Sequence, residues 1–174
     1  VPNPKSISIT FRFPTSLFHE LKEEAVHKQI SLNTLLNQIV TSHVEWHAHA
    51  SKAGFMTVRR TLVEKLMDPL SEEEVDRMAK DMARELRDAS LLMVRKHTEK
   101  SLLEFMERWV KTSGYSYRHI VEDNHHTYII QHDMGYKWSY YLNRLFSYVA
   151  EEAAINKPEI KSSDKMLVVN LKVK

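Results

Sequence analysis

The stretch Ser6–Pro14 reads SISITFRFP. Side chains along a strand point alternately to opposite faces. A strand here places Ile7, Ile9, Phe11 and Phe13 on one face and Ser6, Ser8, Thr10 and Arg12 on the other. A slip of one residue would exchange the two faces, so the register is well specified. No second strand-like run follows until after Gly114. Two amphipathic helices come first. In PTSLFHELKEEAVHKQ, Leu17, Phe18, Leu21 and Ala25 share a face with Val26 beside them. Gln29 and Ile30 break the pattern, and SLNTLLNQIVTSHVEW opens the second helix with Ser31 as a natural N-cap. Leu32, Leu35, Leu36, Ile39, Val40 and Val44 form its stripe. One strand and two helices, roughly 45 residues, sit near the size below which a chain cannot build an adequate core alone. The economical remedy is a second copy, with two strands pairing antiparallel across a two-fold axis over four helices.

The run ISITFRFPTSLFHELKEEAVHKQISLNTLLNQIV resembles the ribbon-helix-helix transcription repressors of the Arc and MetJ type. The motif elements are a polar/apolar strand ending in Arg-aromatic-Pro, a first helix with a late Ala, and Ser-Leu-Asn-Thr opening the second helix. They fall within residues 5–46, about a quarter of the chain. Pro14 suits the strand exit, because it lacks a ladder donor and its φ fits a helix start. The resemblance implies that a two-stranded ribbon enters the major groove of double-stranded DNA, where base edges carry a readable code. It implies base contacts from Ser8, Thr10 and Arg12, with Arg12 able to pair bidentately with guanine. It implies phosphate contacts from Lys5 and from the start of the second helix, at Ser31, Leu32, Asn33 and Thr34. Ser31 can cap its helix and serve a phosphate at once. Lys5 is the only other cation near the ribbon, so the ribbon is less basic than in some relatives, and Arg59, Arg60 or the second part would share the electrostatic work.

Charge alone does not announce a nucleic-acid binder. The 174 residues carry a net charge of +2, and residues 1–50 hold as many acids as bases. Apolar residues make up 43% of the chain, enough for a core, and three glycines with five prolines favour helices over a loop-rich all-β fold. The absence of cysteine removes disulfides and thiolate metal sites and suits a reducing cytoplasm. No apolar run approaches the roughly 20 residues of a membrane span. The opening VPNPK shows no signal peptide and lacks an initiator Met, so a missing or processed terminus is expected.

Residues 47–54, HAHASKAG, read as a fraying helix end or linker. The expected organisation is a ribbon-helix-helix domain over 1–50, a linker over 51–56, and an assembly or effector domain over 57–174. The fold class is mainly α, with an α+β C-terminal part carrying a small antiparallel sheet. VRRTLVEKL predicts a short helix. SEEEVDRMAKDMARELRDASLLMV predicts a long one opened by a capping box, Ser71 and Glu74. SLLEFMERWVKTS predicts another, with a second capping box at Ser101 and Glu104. YSYRHIVE and HTYIIQHD predict a hairpin around the turn DNHH. A helix follows Gly135 with Trp138, Tyr141, Leu142, Leu145, Phe146 and Val149 inward, and MLVVNLKV is a final strand.

Ten histidines raise the question of a metal. His47, His49, His125, His126 and His132 are the candidate ligands, with His43 beside the first pair. They lie in different parts of the chain, no carboxylate pattern joins them, and a solvated turn explains His125 and His126 as well. No resident cofactor is expected, and a metal or small-molecule effector is the alternative. Tyr115, Tyr117, Tyr128, Tyr136, Trp138, Tyr140 and Tyr141 either pack a core or line a pocket. Catalysis finds no phosphate loop, nucleophile elbow, HExxH or cysteine nucleophile, so a non-enzymatic role is expected. The resulting expectation is a cytoplasmic, homodimeric DNA-binding regulator, a repressor by resemblance, with tetramers favoured on neighbouring half-sites. The alternatives are an antitoxin-like protein whose second part binds a protein partner, a metal-responsive repressor, and an assembly protein that uses the ribbon only to dimerise.

Overall fold

The computed structural model describes residues 7–94, 99–152 and 156–172, with side chains over 7–86, 103–152 and 156–172. The chain divides into two compact units, Val1–His43 and Val44–Lys174.

The first unit contains α1, Thr15–His27, and α2, Leu32–Ser42. Pro14 precedes α1 at φ −55°, a value that already suits a helix start. The break at Gln29 and Ile30 is a helix stop. The Ile30 amide donates to the Ala25 carbonyl at 3.0 Å, the Gln29 amide donates to the Val26 carbonyl at 3.0 Å, and Gln29 adopts φ 54°. A left-handed residue with reversed bonds of this kind is the common way to end a helix, though Gly or Asn usually occupies it. Ser31 then caps α2: the Thr34 amide donates to Ser31 Oγ at 3.0 Å.

The second unit is α+β. After α2 the backbone passes through a π turn, His43–His47, and a short α3, Ala48–Ala50. Then come α4, Arg60–Met67; α5, Glu72–Val94; α6, Glu99–Thr112; and α7, Gly135–Glu152. Four strands, β1 Ser116–Glu122, β2 His125–Gln131, β3 Glu159–Ser162 and β4 Met166–Lys172, form one antiparallel sheet in the order β1-β2-β4-β3. The capping box of α5 forms in both directions: the Glu74 amide donates to Ser71 Oγ at 3.2 Å and the Ser71 amide donates to Glu74 Oε2 at 2.7 Å. Ser71's hydrogen bonds also hold the Glu74 carboxyl below its ordinary pKa.

Small residues set the packing of α5. Val75, Ala79 and Ala83 recur at i, i+4 and i+8 and are buried, which lets α7 approach closely. From α7 come Tyr141, Leu142, Leu145, Phe146, Val149 and Ala150. Its far side meets β3 and β4, where Leu167, Val169 and Leu171 alternate inward beside Tyr128 and Ile130 of β2. A half-buried network pins the two helices together. Arg144 Nε binds Asp76 Oδ1, Arg144 Nη2 donates to the Tyr148 hydroxyl at 2.7 Å, and that hydroxyl donates to Asp76 Oδ2 at 2.8 Å. Burial opposes ionisation of Asp76, but the Arg144 and Tyr148 hydrogen bonds outweigh it and lower the carboxyl's pKa.

Several expectations need correction. Residues 7–14 form no strand, and Ser6 lies outside the described residues. The boundary falls between His43 and Val44, before residue 50, and the segment expected as a linker over 51–56 is folded in. The reason is an aromatic cluster. The Trp46 ring packs tilted against Phe55 and Phe105 of α6, with centroids 4.9 and 6.0 Å away, and Ala50 is buried beside them. Ser101 lies within α6, and the second capping box involves its side chain, which is outside the described residues. The hairpin turn is Asp123 and Asn124 alone, closed by the Glu122–His125 pair, with Asp123 at φ 54°. His125 and His126 belong to β2. Strand β3 was not anticipated, because in EIKS only Ile160 is apolar.

Candidate nucleic-acid interface

The DNA contacts implied by resemblance lie in the first unit, whose apolar residues are largely uncovered. Ile7 is 87% exposed, Ile9 69%, Phe11 55% and Phe13 37%. Ser8, Thr10 and Arg12 are exposed as well. Phe11 and Phe13 rest against each other with ring centroids 5.9 Å apart. Along the helices, Leu17, Phe18, Val26, Ile39 and Val40 also face solvent. Only Ala25 and Leu35 are buried among the described residues of this unit. A strand needs a neighbour to satisfy its backbone donors and acceptors. Among the described residues, no segment pairs with residues 7–14.

The start of α2 presents the second half of the site. Ser31, Asn33 and Thr34 are exposed and Leu32 is half-buried. The first intrahelical bond runs from the Leu35 amide to the Ser31 carbonyl at 2.9 Å. The amides of Leu32 and Asn33 precede it and have no acceptor within the helix, while Ser31 Oγ takes the Thr34 amide. Ser31 Oγ and Thr34 Oγ1 lie 2.7 Å apart, and Asn37 Nδ2 donates to the Asn33 carbonyl at 2.9 Å, which stiffens the turn. Two free amides and three short polar side chains at the positive end of a helix dipole can accept an anionic oxygen. Lys5 lies outside the described residues. Arg60 is occupied within the second unit: its Nη2 donates to the Gly114 carbonyl at 2.5 Å, and its guanidinium lies 5.2 Å from the Tyr115 ring centroid.

The histidines named as metal candidates are not brought together. His47 and His49 are exposed on the π turn and α3. His125 is exposed at the start of β2, and His126 Nδ1 lies 3.0 Å from His119 Nε2 in a stacked pair. His119 also stacks on Tyr128 at 4.1 Å, and its pKa is lowered, first by burial. Among the described residues, no group of three or more His, Cys, Asp or Glu side chains converges on one metal position.

His132 has a structural role instead. It is fully buried. Its Nδ1 accepts from the Met134 amide at 3.1 Å, and its Nε2 lies 2.8 Å from Ser139 Oγ, whose hydroxyl bonds to the Ser163 carbonyl. These partners are all satisfied by a neutral imidazole with the proton on Nε2. Burial, the largest influence, lowers its pKa. The relay joins the end of β2, the start of α7 and the β3–β4 turn.

The second unit contains a cavity of about 440 Å³; the sequence reading offered Tyr115 and Trp138 as pocket lining or core but did not place Trp46, Phe55, Arg60 or Trp109 beside them. Trp46, Phe55, Trp109, Tyr115 and Trp138 form its walls, with Arg60 at the polar side. The aromatic content of residues 115–141 was a pointer to Tyr115 and Trp138, whereas Tyr128 and Tyr141 are core. Trp46 and Phe55, flanking the weakly patterned HAHASKAG, were the remaining signal. No helix among the described residues is long and apolar enough to cross a membrane. No protein-family model matches the chain, and no curated protein matches it at a significant level.

Proposed function

We propose that the chain is a cytoplasmic, homodimeric DNA-binding transcription regulator that reads the major groove with a two-stranded ribbon formed by residues 6–14 of two copies. The observation that carries this reading is the uncovered Ile7, Ile9, Phe11, Phe13 row, set against an alternating row of Ser8, Thr10 and Arg12. Pairing with a twin supplies the missing ladder and covers the apolar row. Each large apolar side chain fully buried contributes about 1.5–3 kcal/mol. The opposite row then stands out as two hydroxyls and a guanidinium per strand, short enough to reach base edges and chemically able to pair with them. The free amides of Leu32 and Asn33 hold the flanking phosphate and set the ribbon's depth.

Selection of bound duplexes from a random pool tests the reading. A split, pseudo-palindromic sequence is expected to emerge. Replacement of Arg12 by Ala should cost the selected duplex about 1–3 kcal/mol of discrimination while leaving weak, salt-sensitive binding to unrelated duplex. Enrichment of no sequence, with the protein dimeric throughout, would leave the ribbon as an assembly device and end the proposal.

A further inference from the structure

The 440 Å³ cavity falls within the size range of small-molecule sites, roughly 300–1,000 Å³. All of its lining residues belong to the second unit, so nothing about it depends on DNA binding. Its walls are unusually flat and aromatic. Trp46 and Phe55 sit 4.9 Å apart, and Trp109 meets Tyr115 edge-on at 6.1 Å. Val63 and Met134 fill in between. Such a lining takes a planar or apolar body.

The charges on the lining have one sign. Arg60 and His47 are its basic residues, and no Asp or Glu lines the cavity. Arg60 is held in place by the Ser113 and Gly114 carbonyls at 3.3 and 2.5 Å and lies over the Tyr115 ring. Two backbone carbonyls and a ring face do not neutralise a guanidinium, which keeps its full charge. Thr57 adds a hydroxyl to the same lining, whereas the Thr112 and Ser113 hydroxyls already donate to the Arg108 and Trp109 carbonyls at 2.8 Å. A fixed cation and the Thr57 hydroxyl form an acceptor-seeking edge on an aromatic box.

We infer that this cavity binds a small aromatic carboxylate, its ring against the wall of Trp46, Phe55 and Trp109 and its carboxylate toward Arg60. The ring gains face and edge contacts that an aliphatic acid of equal charge lacks, and the carboxylate gains a positioned guanidinium that a neutral or cationic analogue lacks.

The test uses the full chain and phenylacetate as the probe, with phenethylamine as its cationic counterpart, followed by calorimetry and ligand-observed NMR. Saturable one-site binding of phenylacetate is expected, with phenethylamine at least about tenfold weaker. Arg60→Gln should weaken phenylacetate by about tenfold or more. Because Arg60 also ties down the Ser113–Gly114 backbone, Thr57→Trp provides a second variant that fills the cavity from an exposed position, and it should abolish binding while circular dichroism stays unchanged. No saturable binding of phenylacetate to the unaltered protein would overturn the inference. So would equal binding of the amine, or binding that survives Thr57→Trp.

Discussion

Ile9 and Leu142 carry side chains of equal size, yet the first is 69% exposed and the second 0%. The contrast holds for the units they belong to. In Val1–His43, helices and a polar/apolar stretch are specified, but the apolar residues have little to bury against in one copy. In Val44–Lys174, the small residues of α5, the stripe of α7 and the inner face of the sheet close on each other. Both regions are patterned well enough to fold. What separates them is the source of the second layer that every apolar face requires. The C-terminal unit supplies it from its own chain, and the N-terminal unit is completed by a twin in the function proposed above.

The largest expected effect breaks the contrast at its weaker side. Phe11→Asp puts a charge in the middle of the uncovered row and should abolish dimerisation, with melting of α1 and α2. Sedimentation and far-ultraviolet circular dichroism report both. In the unaltered protein, the transition of this unit should shift upward with protein concentration while that of the other unit stays fixed. A monomer that keeps both helices would remove the distinction between the units.

Leu142→Ala attacks the other side. It opens a cavity under α7 and should destabilise the C-terminal unit by about 2–5 kcal/mol in urea unfolding, with dimerisation unchanged. Loss of dimer in this variant would mean that the units are not independent.

A smaller effect comes from pH. His132 and His119 have folded-state pKa values below the ordinary 6.5, with burial the first cause. Below about pH 6.5 the unfolded chain therefore binds protons that the folded chain resists, and stability falls as pH drops from there toward the folded values. Urea midpoints of the C-terminal unit at pH 7.5 and 5 should show the loss, and His132→Gln should show less of it. An unchanged slope would mean that the His132 relay does not govern the acid limb.

The smallest effect sharpens the comparison within the first unit. Gln29 holds φ 54° at the end of α1, a conformation that costs a non-glycine residue about 1–2 kcal/mol. Gln29→Gly should raise stability by about 0.5–1 kcal/mol after its greater unfolded-state entropy is counted. A drop would show that the side chain has a role beyond the turn.

Much of the fold was legible because helices announce themselves by period and caps. Ser31, Ser71 with Glu74, and the break at Gln29 all appear where the spacing put them. The inward face of α7 was readable for the same reason. Strand β3 was not, since Glu159, Lys161 and Ser162 carry no alternation and the pairing comes from β4 alone. The Trp46, Phe55 and Phe105 cluster joins residues far apart in sequence across a segment with no pattern, so neither the boundary nor the Trp46 and Phe55 side of the cavity could be read from local signals. His132 looked like a ligand because the sequence cannot say which neighbours will occupy an imidazole's two nitrogens. For the candidate DNA site, the alternation only divided residues 7–14 into two rows, and the resemblance alone gave one row a base-reading role.

The sheet order carries one more consequence. β4 comes last of the four strands along the chain, yet it lies inside, between β2 and β3. A ribosome therefore releases the β1–β2 hairpin, α7 and β3 before the strand that joins them exists. Until Met166–Lys172 emerges, β2 waits with one bare edge and β3 has no partner in the sheet. The closing of this sheet is thus ordered in time by its topology.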